Sequence, residues 1–446
     1  NIGDAAGYSN AGDYSVNIGR ICGYSNPGDY SVSIGHQAGY SNSGDYSIQI
    51  GESCTADDNG IAIGRSCSAG DNGVSIGYNA GYNSDNNSIN IGYQAGYTGA
   101  NANHNTLIGY QAGYAGNTAD YSTAVGSYAL KDATVGLQVA VGYEALKSLT
   151  TGPSNTALGY QAGKNITTGN GNVALGDESG QAVTTGALNI SLGWRALYTA
   201  TTGSNNIAIG SEALYALPAG TDNKNNIAIG EGALKSQGTN NFNGHVAIGH
   251  RCLQNYNSST SNSGQTAVGC FALQAATTGD RNVAFGKNCL NDLTTGNYNS
   301  AFGTYSGQEI TTGSHNTLLG MYAGRYITTG QNNVTVGSDA GDNITTGTGN
   351  IVIGRDATAS SAGVNYEVTI GNSFITKFRI PGINFELADN GGTPTNGHVL
   401  TMASGGATWQ AAGGTSTGEL YVKAKNSSGN ASNTGSNTYA GDHSGN

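Results

Sequence analysis

The stretch "NTALGYQAGKNITTGNGNVALGDESG" (residues 155–180) decides the fold, because it states one pattern twice at a distance of 17 residues. Taking the glycine of each "IG", "LG" or similar dipeptide as an origin, the pattern occurs 23 times between Gly3 and Gly371. The spacing begins at 16 residues, drops to 13 around Gly64 and then settles mostly at 17. Such a period is too short for helical hairpin repeats and is typical of one coil of a β-solenoid.

Columns of similar residues run through the repeats. The residue before the glycine is always apolar and the third residue before it is usually Val, Ile or Thr, which predicts a short strand with one apolar face turned inward. The third residue after the glycine is Ala, Cys or Ser in every repeat but the last. This small-residue column predicts that another backbone approaches closely, and it includes Ala38, Ala162, Ser179 and Ala340.

Asn and Thr mark two further columns. Asn occupies the fourth position before the glycine in 11 repeats, and side chains of this Asn column are expected to hydrogen-bond from coil to coil. "TTG" occurs nine times in the loops, where glycine permits a reversal of the backbone. We therefore predict an all-β, parallel β-solenoid of about 23 coils, each with two short strands and two reversals. At ~4.8 Å per coil its length is on the order of 110 Å.

The composition restricts the alternatives. Gly contributes 73 of 446 residues, which would also fit a disordered low-complexity chain, but disorder does not keep apolar and small columns aligned. Only 10% of residues are charged and the net charge is −11 without a basic patch, so nucleic acid is not expected as a partner. No apolar run approaches the ~20 residues of a membrane span.

No enzyme motif stands out. The seven His form no HxH or HExxH pair, no CxxC is present, and the carboxylates are scattered through loops at different heights. We therefore expect no enzymatic activity, no catalytic residues, no metal site and no cofactor. Asp57, Asp58 and Asp71 cluster in the shortest loops, where a calcium site is one interpretation and a solvated acidic turn the favoured one.

Five of the six cysteines occupy the small-residue column. Because a free Cys is a good small buried residue, we expect these thiols to replace Ala without a bond or a metal. The pair to check is Cys54 and Cys67, which lie in adjacent coils, whereas Cys270 directly follows its glycine. The five are Cys22, Cys54, Cys67, Cys252 and Cys289.

Aromatic residues suggest two kinds of surface. Residues 1–50 repeat Tyr8, Tyr24 and Tyr40 in one column and Tyr14, Tyr30 and Tyr46 in another; we favour structural ladders over a sugar-binding strip. The longest loops, in 211–268, carry Tyr215, Phe242 and Tyr256, which are the candidate secondary receptor contacts because exposed aromatic rings can stack on sugars. Neutral drift of surface loops explains these insertions equally well.

The repeat dissolves near residue 371. We divide the chain into a solenoid shaft (1–371), a small β-module (372–412), a Gly/Ser joint (413–418) and the start of a further segment (419–446). The sequence begins and ends within a coil pattern, so we expect a longer protein whose primary recognition lies beyond Asn446.

Two resemblances follow from these motifs. The "NxAIG…A" coils resemble the head repeats of trimeric autotransporter adhesins, which implies left-handed parallel β-rolls packed as homotrimers. The stretch "TIGNSFITKFRIPGINFELADNGGTPTNGHVLTMASGGATWQ" (369–410) is similar to the transition region of phage tail-fibre proteins, where solenoid coils give way to other β-modules.

The expected function is therefore that of a fibre shaft. A thin coil core and the small-residue column favour a parallel homotrimer. A virion tail fibre that joins other tail or baseplate proteins and presents a tip to host glycan or outer-membrane material is favoured. A bacterial cell-surface adhesin or extracellular filament is the alternative. An ice-binding surface is disfavoured, because the Thr pairs sit at loop ends.

Overall fold

The computed structural model describes residues 1–411 except residues 11, 83–85, 99–101, 116–119, 218–222, 236–242, 258–263, 381–384, 389–397 and 404–405, and of residues 377–411 only the backbone. The chain divides into two compact units, Asn1–Ile370 and Gly371–Asn446, one residue before the expected boundary. All regular structure in the described residues is β-strand. These residues contain no helix long and apolar enough to cross a membrane.

The first unit is a parallel β-solenoid, as predicted. Among the described residues 22 strands form one sheet, in which each strand pairs in parallel with the equivalent strand of the next coil. The register keeps the sequence columns aligned, so that Thr156 pairs with Val173 and Leu158 with Leu175. A bridge between Ile2 and Ile18 extends the sheet at one end.

The strands of this sheet are short, mostly of three residues. They are β1 (Val16–Ile18), β2 (Val32–Ile34), β3 (Ile48–Glu52), β5 (Ile61–Arg65), β7 (Val74–Tyr78), β8 (Ile89–Ile91), β9 (Thr106–Ile108), β10 (Thr123–Val125), β11 (Val139–Val141), β12 (Thr156–Leu158), β13 (Val173–Leu175), β14 (Ile190–Leu192), β15 (Ile207–Ile209), β16 (Ile227–Ile229), β17 (Val246–Ile248), β18 (Thr266–Val268), β19 (Val283–Phe285), β20 (Ser300–Phe302), β21 (Thr317–Leu319), β22 (Val334–Val336), β23 (Ile351–Ile353) and β24 (Val368–Ile370).

The prediction of two strands per coil is wrong for most of the described coils. A second strand occurs in the shortest coils, where β4 (Thr55–Ala56) pairs in parallel with β6 (Ser68–Ala69). Elsewhere the fourth residue after the glycine is mostly Gly or Leu in a left-handed conformation, as at Leu146 (φ 49°), which interrupts an extended strand. Backbone hydrogen bonds still join these turns from coil to coil, as from Gly163 N to Ser179 O at 2.9 Å.

The interior of the coil is narrow, and this reverses the expected orientation of the strands. In β12 the middle residue Ala157 is buried, whereas the side chain of Leu158 is 49% exposed. The small-residue column lies opposite this inner column: Ser179 Oγ donates a hydrogen bond to Ser191 O of the next coil at 2.7 Å. Only small or polar residues fit both walls in most coils, so the large apolar residues before the glycine point outward.

The small-residue column itself is confirmed. Ala38, Ala162, Ser179 and Ala340 are fully buried. The backbone that approaches them belongs to the same chain, as shown by Cys289 Sγ, which donates to Ala301 O at 3.3 Å. The column is therefore satisfied within one chain, and the argument that it requires a partner subunit is wrong.

The glycine that defines the repeat has a steric role. Gly159 has φ +143°, and a Cβ atom there would lie 2.6 Å from the carbonyl carbon of Gly176 in the next coil. Any side chain would therefore separate the coils. At the position four residues later, a Cβ on Gly163 would meet Leu146 Cδ2 at 2.9 Å and Ile166 Cδ1 at 3.0 Å, so glycine here leaves room for the apolar core.

The Asn column forms the expected hydrogen-bonded ladder. Asn155 Oδ1 accepts hydrogen bonds from the backbone N of Asn172 at 2.9 Å and from its Nδ2 at 3.1 Å. Asn172 Nδ2 also donates to the carbonyl oxygen of Gly186, the glycine of a "TTG" loop, at 2.9 Å. Each buried amide thus fixes both the stacking of the coils and the position of one loop.

The cysteines depart from expectation at one pair. Cys54 and Cys67 form a disulfide with their Cα atoms 4.8 Å apart, because they occupy the small-residue column in consecutive coils and so lie directly above one another. Cys22, Cys252 and Cys289 are buried free thiols, as predicted.

The second unit contains two antiparallel pairs among its described residues. β25 (Lys377–Ile380) pairs with β26 (Phe385–Ala388), and β27 (His398–Ala403) pairs with β28 (Gly406–Ala411). The joint at 413–418 and the segment 419–446 lie outside the described residues.

Candidate functional site

The outward side chains of the 22-stranded sheet form one apolar surface, which we name the outer face. It consists of the residues one and three positions before each glycine, aligned by the parallel register. The side chain of Leu319 is 50% exposed and that of Ile370 is 53% exposed. Further exposed members are Ile2, Val16, Ile18, Ile89, Val139, Leu158, Ile190, Leu192, Phe285, Phe302, Ile351, Ile353 and Val368.

The outer face carries no charged side chain between β1 and β24. Its positions are Ile, Val, Leu or Phe, with Thr or Ser in part of the column three residues before the glycine. Aromatic rings stack on it as well: Phe285 and Phe302 lie 5.2 Å apart with an interplanar angle of 6°. Exposed apolar surfaces of this extent are typical of protein–protein or membrane interaction sites and of ligand-binding grooves.

Charged groups lie in the columns that follow the glycine. Glu144 accepts hydrogen bonds from Lys147 Nζ at 2.5 Å and from Gln161 Nε2 at 2.9 Å, and Lys164 Nζ lies 2.7 Å from it. Burial opposes ionisation of Glu144, but the two lysines outweigh it and lower the pKa of the carboxyl to about 2. This cluster links two consecutive coils.

The tyrosine columns of residues 1–50 are stacked ladders, as favoured from the sequence. Neighbouring rings in the Tyr8 and Tyr14 columns lie 4.8–5.3 Å apart with interplanar angles of 5–15°. A sugar stacks on the face of an aromatic ring, and here neighbouring rings cover those faces. The geometry therefore favours stabilisation of the surface over a sugar-binding strip.

The predicted receptor contacts are not brought together as exposed rings. Tyr256 is fully buried, its ring 4.9 Å from that of His245 and its hydroxyl donating to Asp280 Oδ1 at 3.0 Å, so its expected exposure is wrong. Tyr215 is half-buried, stacked 5.2 Å from Tyr198 with Lys235 Nζ 5.6 Å from its ring centre. Phe242 lies outside the described residues.

The acidic cluster likewise shows no ligand geometry. Asp58 Oδ1 accepts a hydrogen bond from Asp45 N at 2.9 Å, which places it in a ladder between coils. Burial, followed by the nearby charges of Asp71 and Asp58, raises the pKa of Asp57. Within the part of the chain that the structure describes, no group of three His, Cys, Asp or Glu residues is placed to hold a metal ion.

Sequence reasoning missed the outer face because it assigned the apolar columns to the interior. The sequence does contain an observation that predicts the correct orientation. The residue two positions before the glycine is Ala, Ser, Asn or another small or polar residue in most coils. Where Ala-sized residues face each other from the strand and the small-residue column, the gap between them has no room for Ile or Phe. In comparisons with known proteins, no family model, curated protein or solved structure matches the chain.

Proposed function

We propose that this chain is the shaft of a phage tail fibre, built as a parallel homotrimer of left-handed coils that carries a receptor-binding tip away from the virion. The single observation that carries the proposal is the outer face. It runs through 22 strands of the described residues with apolar side chains in constant register. Its occupant in this proposal is the same face of two further copies of the chain.

Charge and symmetry favour identical copies as the occupants. The columns of the outer face recur about every 4.8 Å. A partner whose surface does not repeat at this spacing would fall out of register with them, whereas a second copy of the chain stays in register along the whole length. Each copy has a net charge of −11, so copies repel one another when charged surfaces meet. The outer face has no charged side chain, so copies can pack there without this repulsion. Apolar interfaces of this extent are typical of obligate oligomers.

The alternative is a bacterial surface adhesin or extracellular filament. Both functions use a rod outside the cytosol, and the disulfide between Cys54 and Cys67 supports such a location, because disulfides persist in oxidising environments. The flanking gene sequence separates the two. A baseplate-attachment segment or a self-cleaving chaperone at the C-terminus indicates a tail fibre, and a membrane-anchoring β-barrel or a secretion signal indicates an adhesin.

Receptor binding is proposed to lie mainly outside the coils. The coil columns are too uniform to form a specific pocket, and the covered rings of Tyr198 and Tyr215 reduce the case for a secondary contact in 211–268. Adsorption of the purified chain to host cells, compared with its Tyr215→Ala variant, tests this. Strong adsorption that Tyr215→Ala abolishes would contradict the spacer role.

The oligomeric state tests the central proposal. We expect the purified chain to sediment as a trimer and the variant Leu158→Glu/Leu192→Glu/Leu319→Glu to sediment as a monomer, because the outer face then carries buried charge. The matched control is Thr151→Glu/Thr185→Glu/Thr312→Glu, since each Thr lies seven residues before one of these Leu residues and is exposed on a loop. A monomeric parent, or a charged outer face that still trimerises, would refute the homotrimer.

A further inference from the structure

Three successive coils place a carboxylate, an imidazole and a thiol in a single surface column. Glu231, His250 and Cys270 each directly follow the glycine of their repeat. His250 Nδ1 lies 3.9 Å from Cys270 Sγ, and His250 Nε2 lies 3.9 Å from Glu231 Oε1. The imidazole thus stands between the thiol and the carboxylate, with a different ring nitrogen facing each.

The backbone and a neighbouring ring hold this arrangement. Arg251 N donates to Glu231 O at 2.8 Å, and Phe271 N donates to His250 O at 3.0 Å, which fixes the three coils relative to one another. The ring of Phe271 meets the imidazole edge-on at 5.1 Å and 76°, restricting its rotation. Side chains on rigid ladder positions keep such a geometry better than side chains on loops.

Cys270 differs from the other described free thiols. Cys22, Cys252 and Cys289 are buried, and burial raises the pKa of both Cys252 and Cys289 to about 12, which makes them inert. Cys270 is only partly buried, and the next residue in its column is the exposed Lys287. Its surroundings therefore combine access, a neighbouring base and a nearby cation.

We propose that Cys270 is a nucleophilic thiol that undergoes exchange with small disulfides, with His250 as its base and Glu231 as a positioning residue. His250 Nδ1 takes the proton from Sγ, and the thiolate attacks one sulfur of the disulfide. The S–S bond of the reagent breaks, a mixed disulfide forms on Cys270, and the departing thiolate takes the proton from His250. The reagent disulfide is the oxidant: Cys270 is oxidised to the mixed disulfide while the departing half of the reagent is reduced to a thiol.

A disulfide suits this surface better than an acyl substrate. Exchange needs only in-line access to one sulfur, whereas acyl transfer also needs an oxyanion site and an enclosed cleft. The chain already holds the disulfide Cys54–Cys67, so it is compatible with conditions in which disulfides form. The proposal concerns a modification site and does not depend on the fibre function.

The test is the rate of adduct formation with oxidised glutathione, followed by intact mass and peptide mapping on the full chain at pH 7. An ordinary thiol is only a few per cent ionised at pH 7, so a neighbouring base can increase the amount of reactive thiolate many times over. Part of that gain is lost because a more acidic thiolate is less nucleophilic. We therefore expect native Cys270 to react about tenfold faster than the same thiol in denaturant. Cys270→Ser should abolish the adduct, and the matched control Cys289→Ala should leave it unchanged.

The His and Glu variants identify the mechanism. His250→Gln should slow the reaction about tenfold at pH 7 and much less at pH 9, where hydroxide in solution replaces the imidazole as the base. Glu231→Gln should produce a smaller loss, with the melting temperature of both variants compared with the parent. An adduct that maps to another cysteine, a native rate no faster than the denatured one, or an unchanged rate in His250→Gln would each overturn the proposal.

Discussion

The early coils, residues 1–105, and the later coils, residues 106–359, share one parallel register from coil to coil but are stabilised differently. The position seven residues after the glycine shows this. In the early coils Asn26 is buried there, and its Oδ1 accepts a hydrogen bond from Gly28 N at 3.0 Å. In the later coils Ile327 occupies the same position, fully buried in a continuous apolar cluster from Leu107 to Ala359.

The comparison shows that the coil does not require an apolar core. The early interior contains polar side chains such as Ser33 and Gln49, which hydrogen-bond each other at 2.9 Å. Stacked tyrosines cover the surface of the early coils and the buried disulfide Cys54–Cys67 joins two of them, whereas the later coils add Leu and Ile inside and the Asn ladder. The repeat therefore accepts a polar interior with stacked rings outside, or an apolar interior with an amide ladder.

The largest expected effect comes from removing a side chain of the later core. Ile327→Ala should lower the free energy of unfolding by about 4 kcal/mol per chain, because it leaves a cavity among buried neighbours. The matched change in the early coils, Asn26→Ala, should cost about 2 kcal/mol, because it leaves the buried N–H of Gly28 without its acceptor. Equilibrium denaturation of both variants measures the difference, and equal losses would show that the two interiors are not distinct.

The sequence predicted which residues align in columns along the coils, but not which of these columns point into the coil and which point outward. Periodicity identified the strands, the buried Ala162 and the ladder of Asn155, because each recurs in register and needs no knowledge of distance. The outward position of Leu158 depends on the width of the coil, which a period does not encode, so it required the structure. Tyr256 lies seven residues after Gly249, the position that Ile327 occupies after Gly320, so its burial follows a column of the repeat and could have been predicted.

The disulfide should have the next largest effect, confined to the early coils. Cys54 and Cys67 are 13 residues apart, and closing a loop of this length stabilises a fold by about 3 kcal/mol in the chain-entropy account. Cys54→Ala/Cys67→Ala fits the small-residue column and should lower the melting temperature, with the loss located by hydrogen exchange in residues 48–78. Reducing agent should destabilise the parent and leave this variant unchanged; destabilisation of both would assign the effect to another site.

The smallest expected effect is a dependence on pH that belongs to the later coils. His245 occupies the Asn column: its backbone N donates to Asn226 Oδ1 at 3.1 Å, and its Nδ1 accepts from Gln265 N at 3.1 Å. Burial lowers the pKa of His245 to about 4, against a smaller opposing effect of Asp280. The equivalent early positions are Ser31 and Ser47, which do not titrate in this range.

Because the folded pKa lies below the ordinary value of 6.5, folding favours the neutral imidazole, and its contribution is complete above pH 6.5 and lost as the pH falls towards 4. Between pH 7 and pH 5.5 the parent should lose about 1 kcal/mol per chain relative to His245→Asn, which restores an amide to the ladder and cannot be protonated. The measurement is the free energy of unfolding of both proteins across this window, above the range in which ordinary carboxylates titrate. If the free energies of unfolding of the two proteins change with pH in parallel, the Asn ladder accommodates a charged imidazole. The interior of the later coils would then accept polar groups as the interior of the early coils does.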